Sequence, residues 1–176
     1  AIDALVLAVV KLAAEGALVA DPGLDDTHEV RWDFDSDGTW DTEFDADFAA
    51  THRYGDDGVF TATMQIRDDD DGRHSSVVEV VIGNAPPQIT SDPPAEGQQG
   101  VEIVYDAEAE DPGSDDTLLW SVEDAPDGLE IDPDTGEVRW TPGADDVGEA
   151  SFVIVVTDDD GASDRQLVVI EVEPDT

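Results

Sequence analysis

Cysteine is absent from this 176-residue chain, so no disulfide supplies rigidity and no thiolate can act as nucleophile or soft-metal ligand. Positive charge is scarce. Lys11 is the sole lysine, and seven basic residues stand against 46 acidic ones, a formal net charge of −39. Nucleic acid is excluded as a partner on that ground, because phosphate binding needs the opposite sign. Helical periodicity is also missing. So are a Gly-rich phosphate loop, a nucleophile elbow and a paired Ser/His setting. Among so many acids, a carboxylate pair for glycoside hydrolysis has no specificity. The chain is therefore not read as an enzyme. His28, His52 and His74 have no ligand spacing and are expected at the surface. Long apolar runs are confined to Ala1–Ala20, which Asp3, Lys11, Glu15 and Gly16 interrupt. With no basic region or cleavage pattern flanking it, this stretch is not read as a signal or membrane segment. Two strands, at about 4–10 and 17–20, account for it; an amphipathic helix through Ile2, Leu5, Val6 and Val9 is the alternative.

What is present is alternation. Val30, Trp32 and Phe34 fall on one side of a strand, with Arg31, Asp33 and Asp35 on the side expected to face water or metal. A strand over 39–44 is expected next. Phe60, Ala62, Met64 and Ile66 make an inward row, and Val78, Val80 and Ile82 another. After the stiff linker Gly83-Asn84-Ala85-Pro86-Pro87, the inward rows are Val101, Ile103, Tyr105 and Ala107, then Leu118, Trp120 and Val122. Leu129–Trp140 reads as a hairpin turning at Thr135-Gly136. Phe152, Ile154 and Val156, with Val168, Ile170 and Val172, form the last pair. The class is all-β.

The chain also repeats itself. Asp21-Pro22-Gly23-Leu24-Asp25-Asp26-Thr27 returns as Asp111-Pro112-Gly113-Ser114-Asp115-Asp116-Thr117. Each copy is followed by an acidic turn, Asp68-Asp69-Asp70-Asp71-Gly72 in the first and Asp158-Asp159-Asp160-Gly161 in the second. Matching order at a long period implies two modules, 1–83 and 84–176. Apolar residues make up 39% of the chain, so the acid decorates folded protein. Either salt-adapted surface acidity or divalent-cation sites could explain it; concentration of Asp in Gly/Pro turns favours cation sites, and the two are compatible.

The first module resembles the polycystic kidney disease (PKD) domain. The residues that carry the likeness are Trp32-Asp33-Phe34-Asp35-Ser36-Asp37-Gly38, His52-Arg53-Tyr54 with Gly58-Val59-Phe60, and Arg67-Asp68-Asp69-Asp70-Asp71-Gly72. The second is similar to dystroglycan-type cadherin-like, or bacterial putative-immunoglobulin, domains. That likeness rests on Asn84-Ala85-Pro86-Pro87, Glu110-Asp111-Pro112-Gly113, Leu129–Gly136 with Trp140-Thr141-Pro142, and Thr157–Gly161. Both resemblances imply tandem immunoglobulin-like, seven-stranded β-sandwiches of extracellular proteins, often calcium-dependent. Tyr54 is placed like the tyrosine corner of such a sandwich.

Calcium is the expected cofactor. Asp33, Asp35, Asp37, Thr39 and Asp41 occupy positions 1, 3, 5, 7 and 9 of an EF-hand-like loop with Gly38 at position 6, although position 12 is Phe44. In sandwich geometry the loop after the second strand meets the loop before the last strand. Asp21, Asp25 and Asp26 are thus expected to face Asp68, Asp69 and Asp71. Asp111, Asp115 and Asp116 are expected to face Asp158 and Asp160, beside Asn84. Many flexible oxygen ligands suit calcium over magnesium, and the lack of Cys argues against zinc. Trp40 is the one candidate platform for a sugar, though such a Trp more often covers core.

The function expected from these features is a calcium-stabilised extracellular structural or adhesive module pair. Its partners would be other copies, neighbouring Ig-like modules, or a cell-surface protein or polysaccharide, without membrane insertion. Acidic ends opposed across a proline linker predict a calcium-stiffened rod and head-to-tail filaments, with Ala4–Val10 adding to a neighbour's sheet edge. An accessory carbohydrate- or protein-binding unit of a secreted hydrolase is the alternative.

Overall fold

The computed structural model describes residues 9–13 and 27–175. The protein is all-β: apart from a single 3-10 turn at Ala144–Asp146, every regular element described is a strand. The chain divides into two compact units, Ala1–Gly83 and Asn84–Thr176.

In the first unit β1 (Val9–Ala13) pairs antiparallel with β3 (Ala49–Arg53), while β2 (His28–Asp33), β4 (Gly58–Asp68) and β5 (Arg73–Ile82) form a second sheet in the order β2-β4-β5. Alternation along β2 and β4 buries Val30, Trp32, Ala62, Met64 and Ile66, and Phe34, Tyr54 and Val80 complete the core. A run of rings crosses it. Phe34 stacks on His52 at 4.4 Å, His52 meets Tyr54 edge-on at 4.6 Å, and Tyr54 stacks on Phe60 at 4.2 Å.

The second unit has a four-stranded sheet, β10 (Leu119–Glu123), β13 (Gly148–Thr157), β14 (Ser163–Glu173) and β7 (Glu96–Gln98), in that order. Opposite runs a three-stranded sheet of β11 (Glu130–Ile131), β12 (Glu137–Trp140) and β8 (Ile103–Asp106). The core between them holds Tyr105, Trp120, Val138, Trp140, Phe152, Ile154, Val156, Val168, Ile170 and Val172. Strand β7 lies parallel to β14. A short antiparallel pair, β6 (Gln88–Ile89) with β9 (Ala109–Glu110), stands outside the two sheets.

Several expectations are corrected. Residues 39–44 do not form a strand. The segment runs beside β2 but makes one bridge, Asp45 to Val30, because Asp41 and Thr42 both spend their amides on the Trp32 carbonyl. Strand β1 extends to Ala13 and pairs antiparallel with β3 within its own unit, so Val9 and Val10 have a place in their own module. The rest of the expected 4–10 strand, the helical alternative and the 17–20 strand lie outside the described residues. Val101 is 51% exposed because it sits in a turn, donating to the Gln98 carbonyl, before β8 begins. Val78 is 39% exposed on β5, the outer strand of its sheet. His52 is not a surface residue: it is half-buried between Phe34 and Tyr54. The first unit shows five strands among the described residues, the expected 17–20 strand lying outside them, and the second adds the β6–β9 pair to its seven sheet strands.

Candidate cation sites

The carboxylates meet where turns need them. At the β13–β14 hairpin, the Asp158 and Ala162 backbones pair, and the Asp158 side chain accepts the Ala162 amide through Oδ1 at 2.7 Å. Asp68 and Gly72 repeat this arrangement at the β4–β5 hairpin, also at 2.7 Å. Both turns need one residue in the left-handed region, Gly161 in the second (φ 92) and Asp71 in the first (φ 66). Asp158 differs from Asp68 in burial. It is 3% exposed, and its Oδ2 accepts the Asn84 side-chain amide at 3.0 Å.

The loop after β9 comes to the same place. Asp111 accepts the Gly113 amide at 2.8 Å, an Asx turn. Asp116 lies so close over Gly113 that a Cβ there would stand 2.4 Å from its carboxylate. Asp159 joins the two loops by accepting the Thr117 amide at 2.9 Å. Ligand oxygens of Asp111, Asp116 and Asp158 thus lie within 4.8 Å of one another, and those of Asp116, Asp159 and Asp160 form a second, overlapping group. Two ionised carboxylates 4.8 Å apart repel by roughly 3.5 kcal/mol at an effective dielectric of about 20. Asp111 Oδ2 is buried without a hydrogen-bond donor. Asp115 stays outside both groups, exposed and beside Ser114.

In the first unit, Asp33, Asp35 and Asp41 come within the same 4.8 Å. Alternation puts Asp33 toward water or metal, and open water is not what it meets. It is 3% exposed, because the loop after β2 folds over it and places the Gly38 amide 3.0 Å from Oδ2. Asp37 is left out of the group and accepts the Thr39 amide at 2.6 Å. Tyr54 is not a tyrosine corner: its hydroxyl donates to the Phe34 carbonyl at 2.9 Å, twenty residues upstream, since a buried phenol takes the acceptor nearest its end of the core. Burial, then the charges of Asp35 and Asp41, raises the Tyr54 pKa. Asp68, Asp69 and Asp71 gather no third carboxylate cluster among the described residues. Asp71 instead lies 3.6 Å from Arg73. Asp21, Asp25 and Asp26 lie outside the described residues.

One cluster was not legible beforehand. Arg31 lies over the Trp40 ring at 3.9 Å and beside Phe44 at 4.5 Å, and Arg67 covers Phe44 at 4.0 Å. Arg31 also forks onto Gln65 Oε1, while Arg67 pairs with Glu29 at 2.6 Å. Burial, followed by the Arg73 charge, lowers the Arg31 pKa, with Glu43 acting in the opposite sense and Arg67 in the same. The stack holds the 39–45 segment against β2, and Trp40, a candidate sugar platform that more often covers core, carries a guanidinium on its ring. The only signal in the sequence was the rarity of positive charge, three of whose seven carriers gather around Phe44.

Two sheets enclosing one core, with loops from distant strands converging at the sheet ends, define an immunoglobulin-like module. Residues 85–173 match the family described as "Putative Ig domain", and the chain belongs to that family. No curated protein matches the chain. Similar solved structures include human mucin-like protocadherin EC1-2, at 13% identity and TM-score 0.47, covering 85% of this chain and 85% of that one. The protocadherin GammaB4 extracellular domain has 19% identity and TM-score 0.44, with 85% of this chain and 26% of that chain covered. An endo-fucoidan hydrolase of glycoside hydrolase family 107 has 20% identity and TM-score 0.45, with 77% and 22% covered. The chain therefore spans about a quarter or less of the length of the last two. Among the described residues no helix is long and apolar enough to cross a membrane.

Proposed function

We propose that the chain is a segment of an extracellular structural or adhesive protein whose Ig-like modules are stabilised by bound calcium. The observation that carries this reading is the convergence of Asp111, Asp116 and Asp158 with the Asn84 side chain in the second unit. Oxygen-only donors, one buried oxygen of Asp111 without a donor, and a glycine that makes room for Asp116 suit a hard cation of high coordination number. The first unit is read as a PKD-type module on its Trp32–Gly38 motif. Its partners on this reading are further Ig-like modules and other copies of the chain, meeting end to end through acidic surfaces that calcium neutralises. Cell-surface protein or polysaccharide is the target of adhesion.

Thermal unfolding of the full chain tests the calcium. Chelator is expected to lower the melting temperature reversibly, with millimolar calcium restoring it far beyond sodium at equal ionic strength. Asp111→Asn, which keeps an acceptor for the Gly113 amide, is expected to lose a large share of the calcium-dependent rise. Equal restoration by sodium would assign the acidity to general screening instead.

A further inference from the structure

The end of β2 holds a carboxylate oxygen that the protein itself leaves without a partner. Asp33 is 3% exposed, and while its Oδ2 takes the Gly38 amide, its Oδ1 is buried and meets no donor. Such an oxygen carries the full desolvation penalty of an unmade hydrogen bond, and a larger one when charged. Asp35 and Asp41, both exposed, bring their own oxygens within 4.8 Å of the Asp33 carboxylate.

The loop is built to keep them there. Asp41 Oδ2 accepts the Phe34 amide at 2.6 Å, and Thr42 Oγ1 accepts the Trp32 amide at 2.8 Å. Ser36 (φ 56) and Gly38 (φ 94) turn the backbone through the left-handed region between the two ends. No Cys or His belongs to the group, and the exposed side leaves room for water to complete the coordination.

We propose that Asp33, Asp35 and Asp41 hold one calcium ion in the first unit, at a site separate from the acidic cluster of the second. Although the spacing resembles an EF-hand loop, the ligand set differs from one. Position 5, Asp37, is a brace for the Thr39 amide and not a ligand. The ion closes the 33–41 loop over the end of β2, next to the Phe34 carbonyl that holds the Tyr54 hydroxyl. The first unit thereby gains stability from calcium on its own account, whatever the second unit binds.

Isothermal titration of the full chain with calcium chloride, in wild type and single variants, tests this. Asp33→Asn keeps an acceptor for the Gly38 amide and removes the buried charge. It is expected to abolish one binding event per chain or weaken it at least about tenfold. Asp37→Asn is expected to bind as wild type does. Asp35→Asn, at an exposed position, is the second probe should the Asp33 variant not fold, with weakening of the same event expected. Unchanged stoichiometry and affinity in a folded Asp33→Asn chain would overturn the proposal, as would weakening by Asp37→Asn equal to that by Asp35→Asn. Loss of binding in Asp111→Asn with none in Asp33→Asn or Asp35→Asn would keep the second unit's site and remove this one.

Discussion

Gly136 shows how little freedom a single position has here. It lies in the left-handed region (φ 77), where a Cβ would stand 2.7 Å from the Ala107 carbonyl and 2.8 Å from the Trp120 ring. Neither neighbour can retreat, one being backbone and the other a buried side chain. Gly100 has nearly the same φ (76) with nothing within 4 Å. Gly100→Ala is therefore expected to cost about 1 kcal/mol, the backbone term alone, and Gly136→Ala about 3 kcal/mol or more. Urea unfolding of both variants measures the difference. Tyr54 supplies a pH dependence. Its pKa is raised in the folded state, so above the ordinary value of 10.0 the unfolded chain loses the phenolic proton first. The contribution is fully present below that pH and is lost as pH rises through the folded value. Tyr54→Phe is expected to be less stable at neutral pH, by about 1 kcal/mol for the lost Phe34 bond, yet to show a shallower alkaline decline. Denaturant midpoints from neutral pH upward check the sign.

At the scale of elements, the two acidic hairpins share one backbone plan and differ in surroundings. Asp158 is buried and answers donors from its own turn and from Asn84; Asp68 is half-buried and answers its turn. In chelator, where calcium plays no part, Asn84→Ala is expected to destabilise by about 1 kcal/mol through the lost bond to Asp158, and Asp68→Ala by about 1 kcal/mol or less through its turn. An unchanged melt for Asn84→Ala would mean that its contact with Asp158 contributes nothing. Both hairpins were legible as turns, because an acidic run ending in Gly between alternating apolar rows has few other conformations open to it. The 39–45 segment was not. Its Trp40, Thr42 and Phe44 alternate as a strand would, but alternation cannot distinguish a laddered strand from an edge segment held by Arg31 and Arg67.

Across the whole molecule the dominant quantity is charge. At −39 on 176 residues, self-repulsion opposes the compact state everywhere, and sodium relieves part of it by screening. On the proposed reading calcium adds a local effect, since only sites with several converging oxygens bind the native state more tightly than the unfolded one. The comparison of calcium with sodium therefore separates a property of the overall composition from a property of particular loops.

The sequence by itself determined the all-β class, most of the core rows and the positions of the acidic turns. Each of those depends on neighbours one to a few residues apart, where the strand period and turn chemistry operate. The tertiary structure decided which acids meet. Asp111 and Asp116 reach Asp158 across more than forty residues, while Asp115, one position away, turns outward. It also decided the burial of Asp33, which alternation assigns to water or metal without choosing between them. The loop that covers it is held by hydrogen bonds to Trp32 and Phe34 and by guanidinium stacking on Trp40. None of those contacts has a fixed spacing along the chain.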